Sequence, residues 1–244
     1  MASDIKQTPF VKELAANDRP TRDKALDSLR TYLSGHRDLP PLELLKLWKG
    51  LFYCMWMSDR PRTQQALADS LADLVFVLPD KTVIPFLRAY WQTMQREWTN
   101  IDVLRMEKFL LLTRRYIGAT FKLVSNSKWD KEILGQHIAL LEELPCNVDD
   151  MRIPNGMRFH VIDVYIDELE RAGALSEDSE SEVPLDELLQ PLRKLAKSSP
   201  TKPVRLKSRE ALEDDRLPSN RKAENNEEGE QDGGTRNDWE GFDD

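Results

Sequence analysis

Cysteine is almost missing from this chain: two in 244 residues, Cys54 and Cys146, 92 positions apart and in no CxxC pair. That spacing offers neither a disulfide framework nor a thiolate cage for zinc, and it suits a reducing compartment, cytosol or nucleus. Cys54, set among aromatics, reads as an inert buried thiol, and Cys146, after Pro145, as an exposed one with nothing nearby to lower its pKa. Histidine is nearly as scarce. His36 sits in a turn beside Gly35, His137 beside Ile138 and His160 within a helical pattern, and none is spaced with cysteine or carboxylate as a metal site requires. Glycine-rich phosphate loops and the GxSxG elbow are also lacking. A hydrolase or transferase needs a nucleophile, a base and a group that stabilises developing charge. Their absence leads to the expectation of a protein that is not an enzyme, with no cofactor, no metal and no small-molecule substrate. No apolar run approaches the roughly 20 residues that span a bilayer, and MASDIKQTPF has no apolar signal core, so no membrane association is expected.

Charge is abundant and unevenly placed. Residues 1–175 carry 24 Lys+Arg and 24 Asp+Glu, whereas residues 176–244 carry 11 and 19, so the whole net charge of −8 lies in the last 69 residues. Within them, residues 176–192 hold six acids and no base. Residues 193–209 hold seven bases and no acid: Arg193, Lys194, Lys197, Lys202, Arg205, Lys207 and Arg209. Residues 210–244 hold thirteen acids and four bases. Block patterning of this kind predicts a charged, disordered interaction tail, or a merely solubilising one, from residue 199 onward, after a helical domain at 1–198. The basic block is a candidate for RNA contact or nuclear import. Trp239 and Phe242, alone among acids in NDWEGFDD, are candidate anchors of a short linear motif.

The body reads as helix after helix. Thr8-Pro9 opens a short one to about residue 17, Pro20 opens the next and Gly35 stops it, and Pro40-Pro41 precedes a third over roughly 41–58. Others are predicted over about 62–78, 81–97, 102–124, 130–144 and 157–172, with a ninth over 185–197 and Gly173 as a stop. No hairpin signal appears. Helices of this length joined by short loops predict an all-α fold, a HEAT-like α-solenoid or an irregular helical array of about eight to nine helices.

The run Trp48-Lys49-Gly50-Leu51-Phe52-Tyr53-Cys54-Met55-Trp56-Met57-Ser58-Asp59 has no charge from Leu51 to Met57. A surface helix should keep a polar face, so this one is expected to be covered on nearly all sides, with Trp48, Phe52 and Trp56 in the core. Trp91 and Trp98 are also expected in the core and, with Trp129, to close the ends of helix pairs; with Arg96 they could instead form a recognition surface. Lys108, Arg115 and Lys122 recur at i, i+7 and i+14, which keeps them within about 40° around a helix axis. Lys46 and Lys49 share a face with Tyr53, and Arg60 and Arg62 bracket the next turn. These are candidate phosphate or partner contacts; a solvated face is the plainer reading, and the zero net charge of the body argues against pure RNA binding.

Trp48 through Asp59, continuing into Arg60-Pro61-Arg62-Thr63-Gln64, resembles the signature of the eukaryotic ribosomal RNA-processing protein 1 family, the nucleolar protein 52 type. So do Trp91 through Asp102 with Leu104-Arg105-Met106-Glu107-Lys108-Phe109, Pro154-Asn155-Gly156 leading into Phe159-His160 and Asp167-Glu168-Leu169, and Arg22-Asp23-Lys24-Ala25. The likeness covers roughly residues 8–198. Val103 stands where the family commonly has a basic residue, and Glu107 where Asp is common. Arg105, inside the second stretch, joins the candidate contacts. The resemblance implies a non-enzymatic nucleolar scaffold in large (60S) subunit biogenesis and rRNA processing, meeting other large-subunit assembly factors and pre-rRNA. A helical protein–protein adaptor without RNA contact is the alternative.

Overall fold

The computed structural model describes residues 9–14, 16–35, 39–176 and 182–221. Eleven α-helices account for most of them: α1 Pro9–Leu14, α2 Arg19–Gly35, α3 Pro41–Trp56, α4 Pro61–Ala72, α5 Asp80–Glu97, α6 Val103–Asn126, α7 Lys131–Glu143, α8 Asn155–Arg171, α9 Leu185–Leu188, α10 Gln190–Ser198 and α11 Lys202–Leu212. Short 3₁₀ turns follow α4 (Asp73–Val77) and α5 (Trp98–Asn100). No strand occurs among the described residues, and none of their helices is long and apolar enough to cross a membrane. His36, Trp239 and Phe242 lie outside the described residues.

Local chemistry sets the helix starts. Proline occupies the first turn of α3, α4, α10 and α11, where its missing N–H costs nothing. Asp102 caps α6 by accepting the Arg105 N–H at 3.2 Å, and Asp130 caps α7 through Glu132 and Ile133 at 3.0 and 3.1 Å. Two predicted helices break internally. The helix expected over 62–78 turns 3₁₀ at Asp73, close to the Leu71 carbonyl that accepts the Tyr116 hydroxyl. The helix expected over 185–197 divides at Leu189, because Pro191 has no N–H to donate to the Glu187 carbonyl.

Successive helices alternate between two rows. α3, α5, α7 and α10 form one, each packed on the next, and α4, α6, α8 and α11 form the other. Each hairpin adds a helix to both rows, the stacking of a HEAT-like solenoid. Between the rows lies an aromatic centre. The Trp48 ring from α3 sits 5.0 Å from Phe86, 4.9 Å from Tyr90 and 5.2 Å from Tyr116, while Tyr90 and Tyr116 stack at 4.1 Å. Its polar edges are satisfied: Trp48 Nε1 donates to the Phe86 carbonyl at 3.0 Å, and the Tyr90 hydroxyl to Thr113 Oγ1 at 3.1 Å.

The C-terminal end corrects the expected boundary at 198. Residues 199–221 continue the body instead of leaving it: α11 packs on α10 and α8, with Val204 and Leu217 fully buried. Arg216 fixes the segment by pairing with Asp167, Glu170 and Asp214 at 2.7–3.0 Å. Composition misled here, because the basic residues of the block are spread around two short helices whose inward positions, Leu192, Leu195 and Val204 among them, are few.

A candidate docking face at the junction of α3 and α6

The exposed side of α3 is a ridge. Leu42, Lys46, Lys49 and Tyr53 recur at i, i+4, i+7 and i+11, and all four stand in solvent. Trp56 extends the ridge and is half-buried. The expectation of cover on nearly all sides is thus corrected: Trp48, Leu51, Phe52, Cys54 and Met55 are buried, but Tyr53 is 40% exposed. With charge absent on this stretch, its solvent side is apolar and aromatic.

The first turn of α6 borders the ridge. Arg105 lays its guanidinium 4.7 Å from the centre of the Trp56 ring and bonds Asp102 at 2.6 Å. Beside it Val103 and Leu104 are 88% and 92% exposed, the most exposed large apolar side chains among the described residues. Neither lies in phase with the buried stripe Phe109, Leu112, Tyr116 of the same helix. That phase error was visible in the sequence and is the signal that reading residue types alone missed. Beneath, Phe52 and Phe109 stack at 4.6 Å and hold Trp56 in place.

Two cations fix the end of α3. The last carbonyls of a helix lack intrahelical partners and carry partial negative charge. Lys108 Nζ donates to the Trp56 and Ser58 carbonyls at 2.6 and 2.7 Å. Arg22 donates to the Ala16 and Asn17 carbonyls at 2.7 and 2.9 Å and reaches Met57 O at 3.4 Å. Lys108, expected on a phosphate-facing surface, is 4% exposed, so that expectation is corrected. Burial, with Arg105 adding repulsion, pulls its pKa down to about 8 against the attraction of Asp59 and Asp102. Arg158 uses the same device, bonding the Ile153, Asn147 and Asp150 carbonyls at 2.7–3.0 Å and so shaping the α7–α8 loop.

The remaining candidates do not form the single face that their spacing suggested. Arg115 pairs with Asp69 at 2.5 Å, and Lys122 sits 5.5 Å from the Phe76 ring. Both line a groove of about 350 Å³ between α4, α6 and α8 that also contains Asp73, Glu168 and Arg171. Arg96 pairs with Glu97 beside a polar groove on the far side of α5. Arg60 and Arg62 are exposed at the α3–α4 turn, and Lys46 pairs with Glu43 at 2.8 Å. Trp91 and Trp98 are buried, as is Trp129, so none of them offers a recognition surface.

The nucleophile and base candidates are occupied. His137 Nδ1 lies 2.9 Å from the Ile133 carbonyl and His160 Nε2 lies 2.7 Å from that of Leu110, and burial lowers both pKa values. Cys146 is buried, not exposed, because the chain after Pro145 turns inward against α8. Burial pushes its thiol up to about 12 and that of Cys54 up to about 11, so both stay protonated at neutral pH. No group of three or more potential metal-ligating side chains occurs among the described residues.

Comparison with known proteins places this architecture. The family model described as nucleolar protein, Nop52, matches residues 5–241. Ribosomal RNA processing protein 1 homolog A of Mus musculus is 39% identical over 171 residues, 68% of this chain and 34% of the relative. Homolog B of Homo sapiens is 37% identical over 67% of this chain and 22% of its own, and homolog A of Homo sapiens 36% identical over 71% and 40%. The chain therefore spans well under half the length of these relatives. A model match running through nearly the whole sequence, together with relatives of this identity across the helical body, means that the chain belongs to the Nop52 family of nucleolar proteins.

Proposed function

We propose that this chain is a non-enzymatic scaffold in rRNA processing and large-subunit ribosome assembly, working in the nucleolus and docking on other assembly factors and on precursor rRNA. The family and the names of its relatives support the setting. The observation that carries the mode of action is the exposed Val103–Leu104 pair on the first turn of α6, the turn whose Arg105 stacks on Trp56. Two solvated aliphatic side chains on the first turn of a long, well-packed helix are an apolar patch that a partner would cover, and Arg105 on Trp56 adds residue types favoured at interface hot spots. Many such moderate contacts, spread over an extended helical array, suit a particle that must assemble and come apart.

The test is affinity purification of the tagged chain from cells, comparing wild type with Leu104→Asp and with Val103→Asp/Leu104→Asp. Both positions are solvated, so folding stays intact while particle association falls several-fold. Undiminished recovery of assembly factors and precursor rRNA would remove this face from the proposal. Recovery of proteins with no RNA crosslink would favour the adaptor reading, for which the many carboxylate-paired cations of the body already speak.

A further inference from the structure

The basic block behaves differently once folded. Seven cations and a single acid, Glu210, lie between residues 190 and 212, which form the α10–α11 hairpin with a three-residue turn at 199–201. Three of the cations are neutralised by the body: Arg193 by Asp186 at 2.7 Å, Lys194 by Glu142 at 3.1 Å and Lys207 by Asp163 at 2.5 Å. Arg205 folds over the turn, donating to the Ser199 and Pro200 carbonyls at 2.6 and 3.0 Å, which leaves its charge without a carboxylate. Lys197, Lys202 and Arg209 are exposed and have no carboxylate partner among the described residues. Val204 and Ser208 point into the body, and Lys202 and Arg209 lie on the opposite side of α11, within about 20° of each other around the axis. Lys197 and Lys202 bracket the turn, where the positive end of α11 also faces outward without a side-chain cap. Elsewhere the candidate cations of α6 are buried, paired or set beside acids.

We infer that the turn of the α10–α11 hairpin and the outer face of α11 are an RNA-contacting surface of this chain, holding phosphates of the backbone through Lys197, Lys202, Arg205 and Arg209. This rests on the reading of the chain as a factor that meets precursor rRNA, and it assigns that contact to one place. The chemistry fits phosphate and not a base edge: two lysines and two guanidiniums project from the turn and the outer face of α11, and no exposed aromatic side chain among them offers stacking. Binding is therefore sequence-independent and dominated by counterion release. Glu210 and Glu213 follow Arg209 at the C-terminal end of α11, so the RNA path runs from the turn along the Lys202–Arg209 line and stops there.

The test is fluorescence anisotropy of the full chain with labelled RNA of ~20 nucleotides, single-stranded and of two unrelated sequences, over a salt series. Both sequences should bind alike, with affinity falling steeply as salt rises. Lys197→Glu/Lys202→Glu/Arg209→Glu should weaken binding at least about tenfold and flatten the log–log salt slope by roughly 2, the loss of three single-strand phosphate contacts. A control with the same charge change on α2 and α5, Lys24→Glu/Arg30→Glu/Lys81→Glu, should keep the wild-type slope. Melting of each variant is followed in parallel, and Lys202→Gln alone provides a milder variant, with a slope lowered by about 0.7. Equal losses in hairpin and control variants, no binding by the wild-type chain, or strong preference for one sequence would each overturn the inference. Particle association that persists while the hairpin variant has lost RNA would sink the hairpin's role in the particle without touching the docking face.

Discussion

Two tryptophans of one helix separate structural from surface roles. Trp48 is buried against three rings and donates to a backbone carbonyl, whereas Trp56 keeps part of its indole in water beneath Arg105. Trp48→Ala should destabilise by about 3–5 kcal/mol, through lost packing against three rings and the lost hydrogen bond to the Phe86 carbonyl. Trp56→Ala should cost only about 1–2 kcal/mol, since less area leaves water on folding. Urea denaturation of both variants measures the gap, and equal losses would mean that Trp56 belongs to the core. Lys108 supplies a pH signature. Its folded pKa of about 8 lies below the ordinary value of 10.5, so between the two the unfolded chain holds a proton that the folded chain has released. Unfolding then takes up a proton, and stability contributed by this residue rises with pH across that window and is flat below it. The stability of the wild type relative to Lys108→Met should therefore be larger at about pH 9.5 than at about pH 7.5. A difference that shrinks with pH would contradict the buried-cation geometry.

Helix termination shows what the sequence reveals and what it hides. α6 and α8 end in the same motif. After α8 the Ala174 and Gly173 N–H groups bond the Leu169 and Glu170 carbonyls, with Gly173 at φ +83°; after α6 the Trp129 and Lys128 N–H groups bond Val124 and Ser125, with Lys128 at φ +56°. Gly173 announced its stop in the sequence because glycine is at home there. Lys128 gave no such sign, and its Cβ is strained at positive φ. Lys128→Gly should stabilise the chain by up to about 1 kcal/mol, read as a rise in melting temperature, while Gly173→Ala should lower it by a similar amount. Helix existence was legible throughout the first 175 residues, since proline, caps and apolar spacing are local signals. Which side of α6 faces water was not. The spacing of Lys108, Arg115 and Lys122 describes a helix correctly, yet α6 crosses its neighbours so that one end of that line lies under α3 and the other in solvent. Only packing decides that.

At the scale of the whole molecule, the described residues form an array in which each helix pair rests on the one before. In a stacked helical array each unit covers the apolar side of the one before it, and the last unit needs a polar outer face. Here α11 and the following turn cover α8 and α10 with Val204 and Leu217 and turn Lys202 and Arg209 outward. The basic composition that reads as a tail in sequence is thus the solvated face of α11. Its apolar content is too sparse to show a helical stripe in sequence, whereas α10 beside it shows one clearly in Pro191, Leu192, Leu195 and Ala196. A chain ended at residue 198 would expose those partners and release the Arg216 pairs with Asp167 and Glu170. Losing the burial of Val204 and Leu217 alone removes roughly 3–6 kcal/mol. At about 2–4 °C per kcal/mol, the truncated chain should melt some 10 °C or more below the chain ended after Arg221, as scanning calorimetry of the two would measure. Coincident melting would mean that α11 rests on the body without stabilising it, and would return the helical boundary to residue 198.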